Sequence, residues 1–464
     1  MAIEYNGVTG GDVKVLFLVD ELYETSQIHG SRHASFLEVA VTGPDGGPDA
    51  AFVLLTDTYL CHSERLQKAL ELGSRVCIGT QLPKQCGQYP TCTFIRVDDP
   101  LTELIRLTSL LRKESTATFI GITGSSGKTT TKDMIAHLLR GRNKKTLKTF
   151  HNYNGLLGIP LTLRKLRSDD RFAVLEIGLG DPGSVDRGAE LVQPHVAVIT
   201  NIGESHVGRF KTLSEIAREK SAILRHLQPG GLAVLNGDDP YCRAMQEYHS
   251  GRVLLFGRGA DCEVRILSIS QVAYNQLDIR LAFTGGTLSF SLSAVGEFQA
   301  YNAAASASVA LHLGLGPEEI CHRFASFKTG EQRMKTYVKD QLLVVDDGYN
   351  ASPQGMRMAV AAFDEIPWPG ARVLIIGDPQ DQGDLSKHYL SDTASLVAAS
   401  KSDLVIWFGA KVAALIAEVP GSRHAETVEQ AADLARKATC QGGAIFIKGT
   451  DDKLLKALRL RLLL

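Results

Sequence analysis

The stretch FIGITGSSGKTTTKDMIAHLL, residues 119–139, restricts the fold more than any other part of the chain. Its apolar run, Phe119–Ile122, has the character of a buried strand, and a helix-like pattern follows Lys128. Between them stand Thr123, Gly124, Ser125, Ser126, Gly127, Lys128, Thr129 and Thr130. A strand that ends in a glycine turn and enters a helix directs backbone N–H groups at an anion. The helix N-terminus adds partial positive charge. Gly124 and Gly127 let the backbone approach a phosphate without a Cβ in the way. Lys128 can reach β- and γ-phosphates, and the Thr129 hydroxyl suits Mg2+. The common spacing of such loops places a glycine six residues before the lysine. Here that residue is Ile122, so the loop is of a shorter kind, T-G-x-x-G-K-T. A plain glycine turn before a helix does not need the lysine and two threonines in this order. The loop predicts ATP binding and leaves the use of the ATP open.

The rest of the chain repeats this alternation. With 464 residues it exceeds a single hydrophobic core, so two or three domains are expected. Residues 1–115 read as a small α/β unit, with strand-like AFVLL and RVCIG and helix-like HSERLQKALELGS and DPLTELIRLTSLLRKES. Residues 116–328 carry the strand candidates TATFIGIT, FAVLEIG, VAVITNI and LAVLNG. Helix candidates follow Lys128 and recur near 213–227 and 299–313. Short apolar runs separated by helices predict a parallel sheet covered on both faces. Between Arg252 and Val295 the pattern turns to alternation, as in LDIRLAF and TLSFSLSAV, which predicts an antiparallel patch. Residues 329–464 return to α/β alternation through LLVVDDG, RVLIIGD, DLVIWFG and AIFIKGT, as in a second open, Rossmann-like parallel sheet. The expected fold class is α/β, with three domains.

Composition narrows the partners. Lys+Arg is 50 and Asp+Glu is 51, so a polyanion-binding surface, and with it nucleic acid, is not expected. No apolar stretch approaches the length of a membrane span, and the acidic N-terminus does not read as a signal peptide. The eight cysteines form no C-x-x-C pair, which predicts scattered reduced thiols in the cytoplasm.

Further motifs follow the loop in a fixed order: TFHNYNGLLGIPLTL (149–163), AVLEIGLGDPGSVDRG (173–188), TNIGESHVGRFKTLSEIAREKSAIL (200–224), VLNGDDP (234–240), GEFQAYNAAASA (296–307), GEQRMK (330–335), VVDDGYNASPQGM (344–356) and IFIKGT (445–450). In this order and at these separations they resemble the Mur ligase family, most of all its branch that adds D-alanyl-D-alanine. The resemblance covers nearly the whole chain. It is densest over 119–356 and thinnest in the first segment.

The resemblance implies an ATP-dependent amide ligase. A substrate carboxylate attacks the γ-phosphate to give an acyl phosphate and ADP; an amine then attacks the acyl carbon and phosphate leaves. Two anions must meet in the first step, so fixed positive charge is required. By the same resemblance Mg2+ is held by Thr129, Glu176, His206 and Lys220, and Lys220 is carbamylated by CO2, turning a cation into an anionic ligand. Lys128, Lys220, His206 and Arg333 are the implied catalytic group. Asn236 and Asn302 lie near the adenine, Arg333 on the phosphates and Asp347 near the ribose. Asn154 belongs to the stretch that holds the acceptor, and Asn350 and Lys448 face the amine substrate. Taken alone, each of these residues also has an ordinary reading: a solvated helix lysine, a loop histidine, an Asp-Asp-Gly turn. The implied partners are small molecules, and the implied state is a cytoplasmic monomer.

Five short stretches depart from the family pattern, one of them Asn154-Gly155 where a two-asparagine run is usual. A His-Asn pair is replaced by Phe298-Gln299. An Asp-Ser-Arg triplet and an Asp-Gly-His loop of the first domain are here Gly30-Ser31-Arg32 and Cys61-His62-Ser63. In the third domain Asp381-Gln382-Gly383 stands where Glu-Leu-Gly is usual. By the resemblance Phe298-Gln299 bears on adenine packing and most of the other changes cluster on substrate contacts, so the alternative is a ligase of the same reaction with altered substrates, acting in a specialised pathway.

Overall fold

The structure is a computed structural model. It describes residues 17–40, 48–55, 62–81, 90–140, 145–204, 209–349, 351–378, 386–449 and 452–463. The chain divides into two compact units. The first comprises Met1–Phe119, Gly141–Ile177 and Arg187–Gln193; the second comprises Ile120–Arg140, Gly178–Asp186 and Pro194–Leu464.

The first unit contains a five-stranded sheet in the order Ile28–His29, Thr93–Arg96, Val76–Gly79, Ala50–Val53, Glu38–Ala40. The pairings are parallel except at the Ile28–His29 edge. Phe52, Cys77 and Phe94 cover one face with Leu66, Ala69 and Leu70 of the helix His62–Glu71. Ile78 and Ile95 cover the other with Leu104, Leu107 and Leu111 of Pro100–Glu114. That helix starts cleanly because Asp99 accepts from the N–H groups of Leu101 and Thr102 and Pro100 follows it. The unit also holds the parallel pair Lys145–Lys148 and Asp170–Glu176.

The second unit carries two sheets. Thr118–Thr123, Val196–Ile199, Leu232–Asn236 and Arg252–Gly257 lie side by side in parallel. Val264–Ala273, Gln276–Phe283 and Gly286–Leu292 continue as an antiparallel meander. The antiparallel patch therefore begins later than the expected Arg252. The run VLLF is buried on both faces, as a parallel strand requires, and clean alternation starts only after Val264. The helix Lys128–Leu139 packs against Phe298–His312, whose Ala303, Ala304, Ala307 and Ala310 let the backbones come close.

The second sheet runs Lys335–Lys339, Leu342–Asp347, Gly443–Lys448, Ala371–Gly377, Leu404–Phe408, Arg423–Ala425. Only the Lys335–Lys339 edge is antiparallel. Apolar clusters bury both faces. Gly443–Lys448, last in sequence, is inserted beside the first parallel strand, and that insertion sets Lys448 next to Asp347 in register. Among the described residues no helix is long and apolar enough to cross a membrane.

Candidate nucleotide and ligation site

The loop after Thr118–Thr123 has the backbone of an anion cradle. Gly124 (φ +145°) and Gly127 (φ +81°) occupy the left-handed side of conformational space, and Lys128 opens the helix. A Cβ on Gly124 would lie 1.9 Å from Thr200 Oγ1, and one on Gly127 would lie 2.3 Å from Asn302 Oδ1. Two neighbouring residues, neither singled out from the sequence, hold the loop shape. Thr200 Oγ1 donates to Ser126 O at 2.6 Å, and Asn201 Oδ1 accepts from Ser126 N at 2.9 Å. Ser125 Oγ donates to Gly203 O at 2.9 Å. The signal was present: Thr200 and Asn201 follow a strand that pairs directly with the loop's own strand.

Two lysines converge on one oxygen of this loop. Lys128 Nζ donates to Gly124 O at 2.8 Å and Lys220 Nζ donates to the same oxygen at 3.0 Å. Lys220 lies on the helix Leu213–Ser221 and is 0% exposed. Burial first, and the neighbouring Lys128 charge second, hold its amine well below the ordinary lysine range. A buried amine whose protonation is disfavoured, beside a phosphate cradle, has the chemistry that addition of CO2 requires.

Asn302 lies under the loop, accepting from Thr131 Oγ1 at 3.3 Å and donating to Gln299 Oε1 at 3.0 Å. Asn236 spends its amide on backbone: Nδ2 donates to Thr200 O at 3.0 Å and Oδ1 accepts from Asp238 N at 3.0 Å. In this arrangement it supports the loops around Thr200 and Asp238. Arg333 Nη2 donates to Thr129 Oγ1 at 3.2 Å, and its guanidinium lies 3.6 Å above the Tyr349 ring. Asp347 forms a buried ion pair with Lys448 and accepts from Met334 N at 3.1 Å.

Within the first unit, Glu176 closes its strand with 2% exposure. Its carboxylate accepts from Asn154 Nδ2 at 2.8 Å, and its N–H donates to Thr149 Oγ1 at 2.9 Å. The two residues assigned from the sequence to metal and to acceptor are thus bonded to each other. Asn154→Leu removes a charge-assisted hydrogen bond to a buried carboxylate, a loss of about 1.5–3 kcal/mol. Thermal unfolding should register that cost, and turnover should fall about tenfold or more as Glu176 loses its orientation. A variant with unchanged turnover would show the contact to be idle. His206 and Asn350, both named from the sequence, lie outside the described residues.

The cradle, its lysine and the flanking parallel strands define a nucleotide-binding α/β protein of the phosphate-loop class. The family described as Mur ligase middle domain matches residues 122–310, and that described as Mur ligase, glutamate ligase domain, matches residues 332–450. The UDP-N-acetylmuramoyl-tripeptide--D-alanyl-D-alanine ligase of Bacillus subtilis (strain 168) is 32% identical over 325 residues, covering 70% of this chain and 69% of the relative. The enzyme of the same name from Treponema pallidum (strain Nichols) is 29% identical over 429 residues, covering 89% and 90%. A crystal structure of MurF from Acinetobacter baumannii superposes with a TM-score of 0.84 at 27% identity, covering 93% of this chain and 94% of the other. The chain belongs to the Mur ligase family.

Proposed function

We propose that this protein is an ATP-dependent amide ligase that adds D-alanyl-D-alanine to a UDP-N-acetylmuramoyl tripeptide, a step of peptidoglycan precursor synthesis. The reaction is the one named for its relatives from Bacillus subtilis and Treponema pallidum. The observation that carries the reading is the pair of lysines on the Gly124 carbonyl, one at the mouth of the phosphate loop and one fully buried. A phosphate loop alone fits many nucleotide enzymes; a buried lysine against it, once carbamylated, would help hold the divalent cation that lets two anions meet.

The contacts support the following residue roles. The loop Gly124–Thr130 cradles the ATP phosphates, with Lys128 leaving its carbonyl partners to meet them. Arg333, steadied on Tyr349, adds charge at the phosphates as the acceptor carboxylate oxygen attacks the γ-phosphorus and ADP departs. The amine nitrogen then attacks the acyl carbon, inorganic phosphate leaves, and the nitrogen loses a proton. Thr129, Glu176 and a carbamylated Lys220 are each proposed as Mg2+ ligands. Their hydroxyl and carboxylate-type oxygens are the donors that ion prefers, and the ion would supply neutralising charge. Lys448 and Asp347 are proposed to face the amine substrate and the ribose. Residues 1–115, 116–328 and 329–464 are proposed as the acceptor, ATP and amine domains of a cytoplasmic monomer.

Altered substrates remain a second reading, favoured by one observation. Gly30 has φ +128°, and a Cβ there would lie 2.9 Å from Thr93 Cα. The turn is tied by Ser31 N donating to Thr93 Oγ1 at 3.1 Å. No aspartate fits in place of Gly30, so the carboxylate of the family's Asp-Ser-Arg triplet has no counterpart here. Phosphate release should be screened with UDP-linked muramoyl peptides against D-alanyl-D-alanine and a panel of amino acids. The first reading predicts release that needs both the UDP-muramoyl tripeptide and the dipeptide. Release with another acid and amine, and with no UDP sugar, would establish the second.

A further inference from the structure

Arg333 reaches Thr129 from an unusual stretch of backbone. The residues on either side of it, Gln332 (φ +55°) and Met334 (φ +54°), are both non-glycine residues in the left-handed region. Each such residue costs about 1 kcal/mol or more, so two in three positions persist only where surrounding contacts impose them. Those contacts can be traced. After Arg333, Met334 is buried in the apolar cluster over the second sheet, and its N–H is bound by Asp347. Before Arg333, Glu331 accepts from Lys335 Nζ at 2.7 Å, from Tyr337 OH at 2.5 Å and from Arg459 Nη1 at 3.1 Å. Lys335 and Tyr337 first, with Arg459 adding charge, hold the Glu331 carboxyl down at about 2. It therefore stays ionised at any working pH.

Arg459 links both sides of this turn. It lies on the last helix, Asp452–Leu463, and is 8% exposed. Besides Glu331, its Nη1 donates to Tyr337 OH at 2.7 Å and to Asp346 Oδ2 at 2.8 Å. Asp346 is fully buried and precedes Asp347, the residue that binds Met334 N. One guanidinium thus fixes the carboxylate two residues before Arg333 and the strand that anchors the residue after it. Nothing in the loop, metal or substrate assignments uses Arg459.

We propose that Arg459 is a positioning residue: from the last helix it clamps the Glu331–Met334 turn in its left-handed shape and so sets Arg333 against Thr129 at the nucleotide phosphates. The inference rests on the reading of Arg333 as a phosphate-facing arginine. Arg459 itself touches no substrate. Without the clamp the turn relaxes toward ordinary backbone, and Arg333 withdraws from Thr129.

The test is a double-mutant cycle read by binding of a non-hydrolysable ATP analogue with Mg2+ to the full chain. Arg333→Ala should weaken binding roughly 10- to 100-fold, as loss of a charged hydrogen-bonding group does. Arg459→Met should weaken it about tenfold, by loss of orientation. The double variant should bind no more weakly than Arg333→Ala alone, because Arg459 acts only through Arg333. A merely structural Arg459 gives additive losses, and that result overturns the proposal. So does normal binding by Arg459→Met, or normal binding by Arg333→Ala. Should Arg459→Met fail to fold, with Asp346 then stripped of its partner, Glu331→Ala decides. It leaves the Arg459–Asp346 pair in place and releases only the turn, and the same non-additive pattern is expected with a smaller loss. Additive or absent effects there overturn the proposal equally. The ligase reading is judged separately, by ATP-dependent phosphate release from the unsubstituted protein.

Discussion

Lys220→Ala is expected to lower ATP-dependent phosphate release by on the order of 10²- to 10³-fold, the scale of losing one preorganised charge-stabilising group. Acetate or another small carboxylate, added at high concentration, should restore part of the activity by occupying the space left by the side chain. Lys220 has no exposed surface, its amine reaches Gly124 O of the phosphate loop, and Lys128 shares that oxygen. A second cation there opposes protonation, which favours the neutral form that is nucleophilic towards CO2. The proposed carbamylation would join the nitrogen to the carbon of CO2 and release a proton, and it would leave an anion where a charged lysine would repel the proposed metal. Unchanged turnover in Lys220→Ala would show that the amine takes no part.

Two corollaries follow from the sign of the pKa shift. In the folded chain the amine titrates well below its ordinary value, so between the folded and the ordinary value the unfolded chain binds a proton that the folded chain does not. Stability therefore falls as pH decreases from the ordinary lysine range down to the folded value. Lys220→Met keeps the stem and drops the amine, so it should unfold no more easily than the parent even while turnover collapses. Protonation also competes with CO2 for one lone pair. Activity should decline on the acid side, and added bicarbonate should offset part of that decline.

How much of this was legible in the sequence depends on distance along the chain. The phosphate loop was legible because strand, turn, lysine and helix are contiguous, and each has its own local signal. The parallel sheets were legible because strands buried on both faces read as unbroken apolar runs. The start of the antiparallel patch was misplaced because VLLF, being short and fully apolar, carries no alternation to read. Taken alone, Lys220 has the ordinary reading of a solvated helix charge, and only the family resemblance marked it as a buried, carbamylated ligand. Yet Ile216 and Lys220 stand four residues apart on one helix, so the period placed the lysine on the buried side. The resemblance placed Asn236 near the adenine, and its contacts in the fold were not visible in the sequence. Its two backbone partners come from Thr200 and Asp238, and only the fold brings Thr200 near. The pairing of Asp347 with Lys448 spans 101 residues and depends on the last strand inserting beside the first. No local pattern encodes that insertion.

Gly124→Ala is expected to abolish nucleotide binding at working concentrations and to cost about 2–4 kcal/mol of stability, two effects with separable causes. The first cause is conformational. At φ +145° an L-residue is strained by about 1–3 kcal/mol whatever surrounds it. The second is steric: the new methyl would lie 1.9 Å from Thr200 Oγ1 and 3.1 Å from Thr200 Cβ. Thr200 cannot swing aside without loss, because its hydroxyl donates to Ser126 O at 2.6 Å and so braces the loop that must hold the phosphates. The loop has to open, and its N–H groups then point away from the anion. Thr200→Ala in the same chain removes the colliding oxygen but neither the close Cβ nor the backbone strain, and it also removes the brace. The double variant should therefore recover part of the stability and little of the binding. Calorimetry and titration with an ATP analogue read the two quantities independently. Full recovery of binding in the double variant would mean that the hydroxyl collision alone matters; normal binding by Gly124→Ala would show that this glycine turn is not where the phosphates are held.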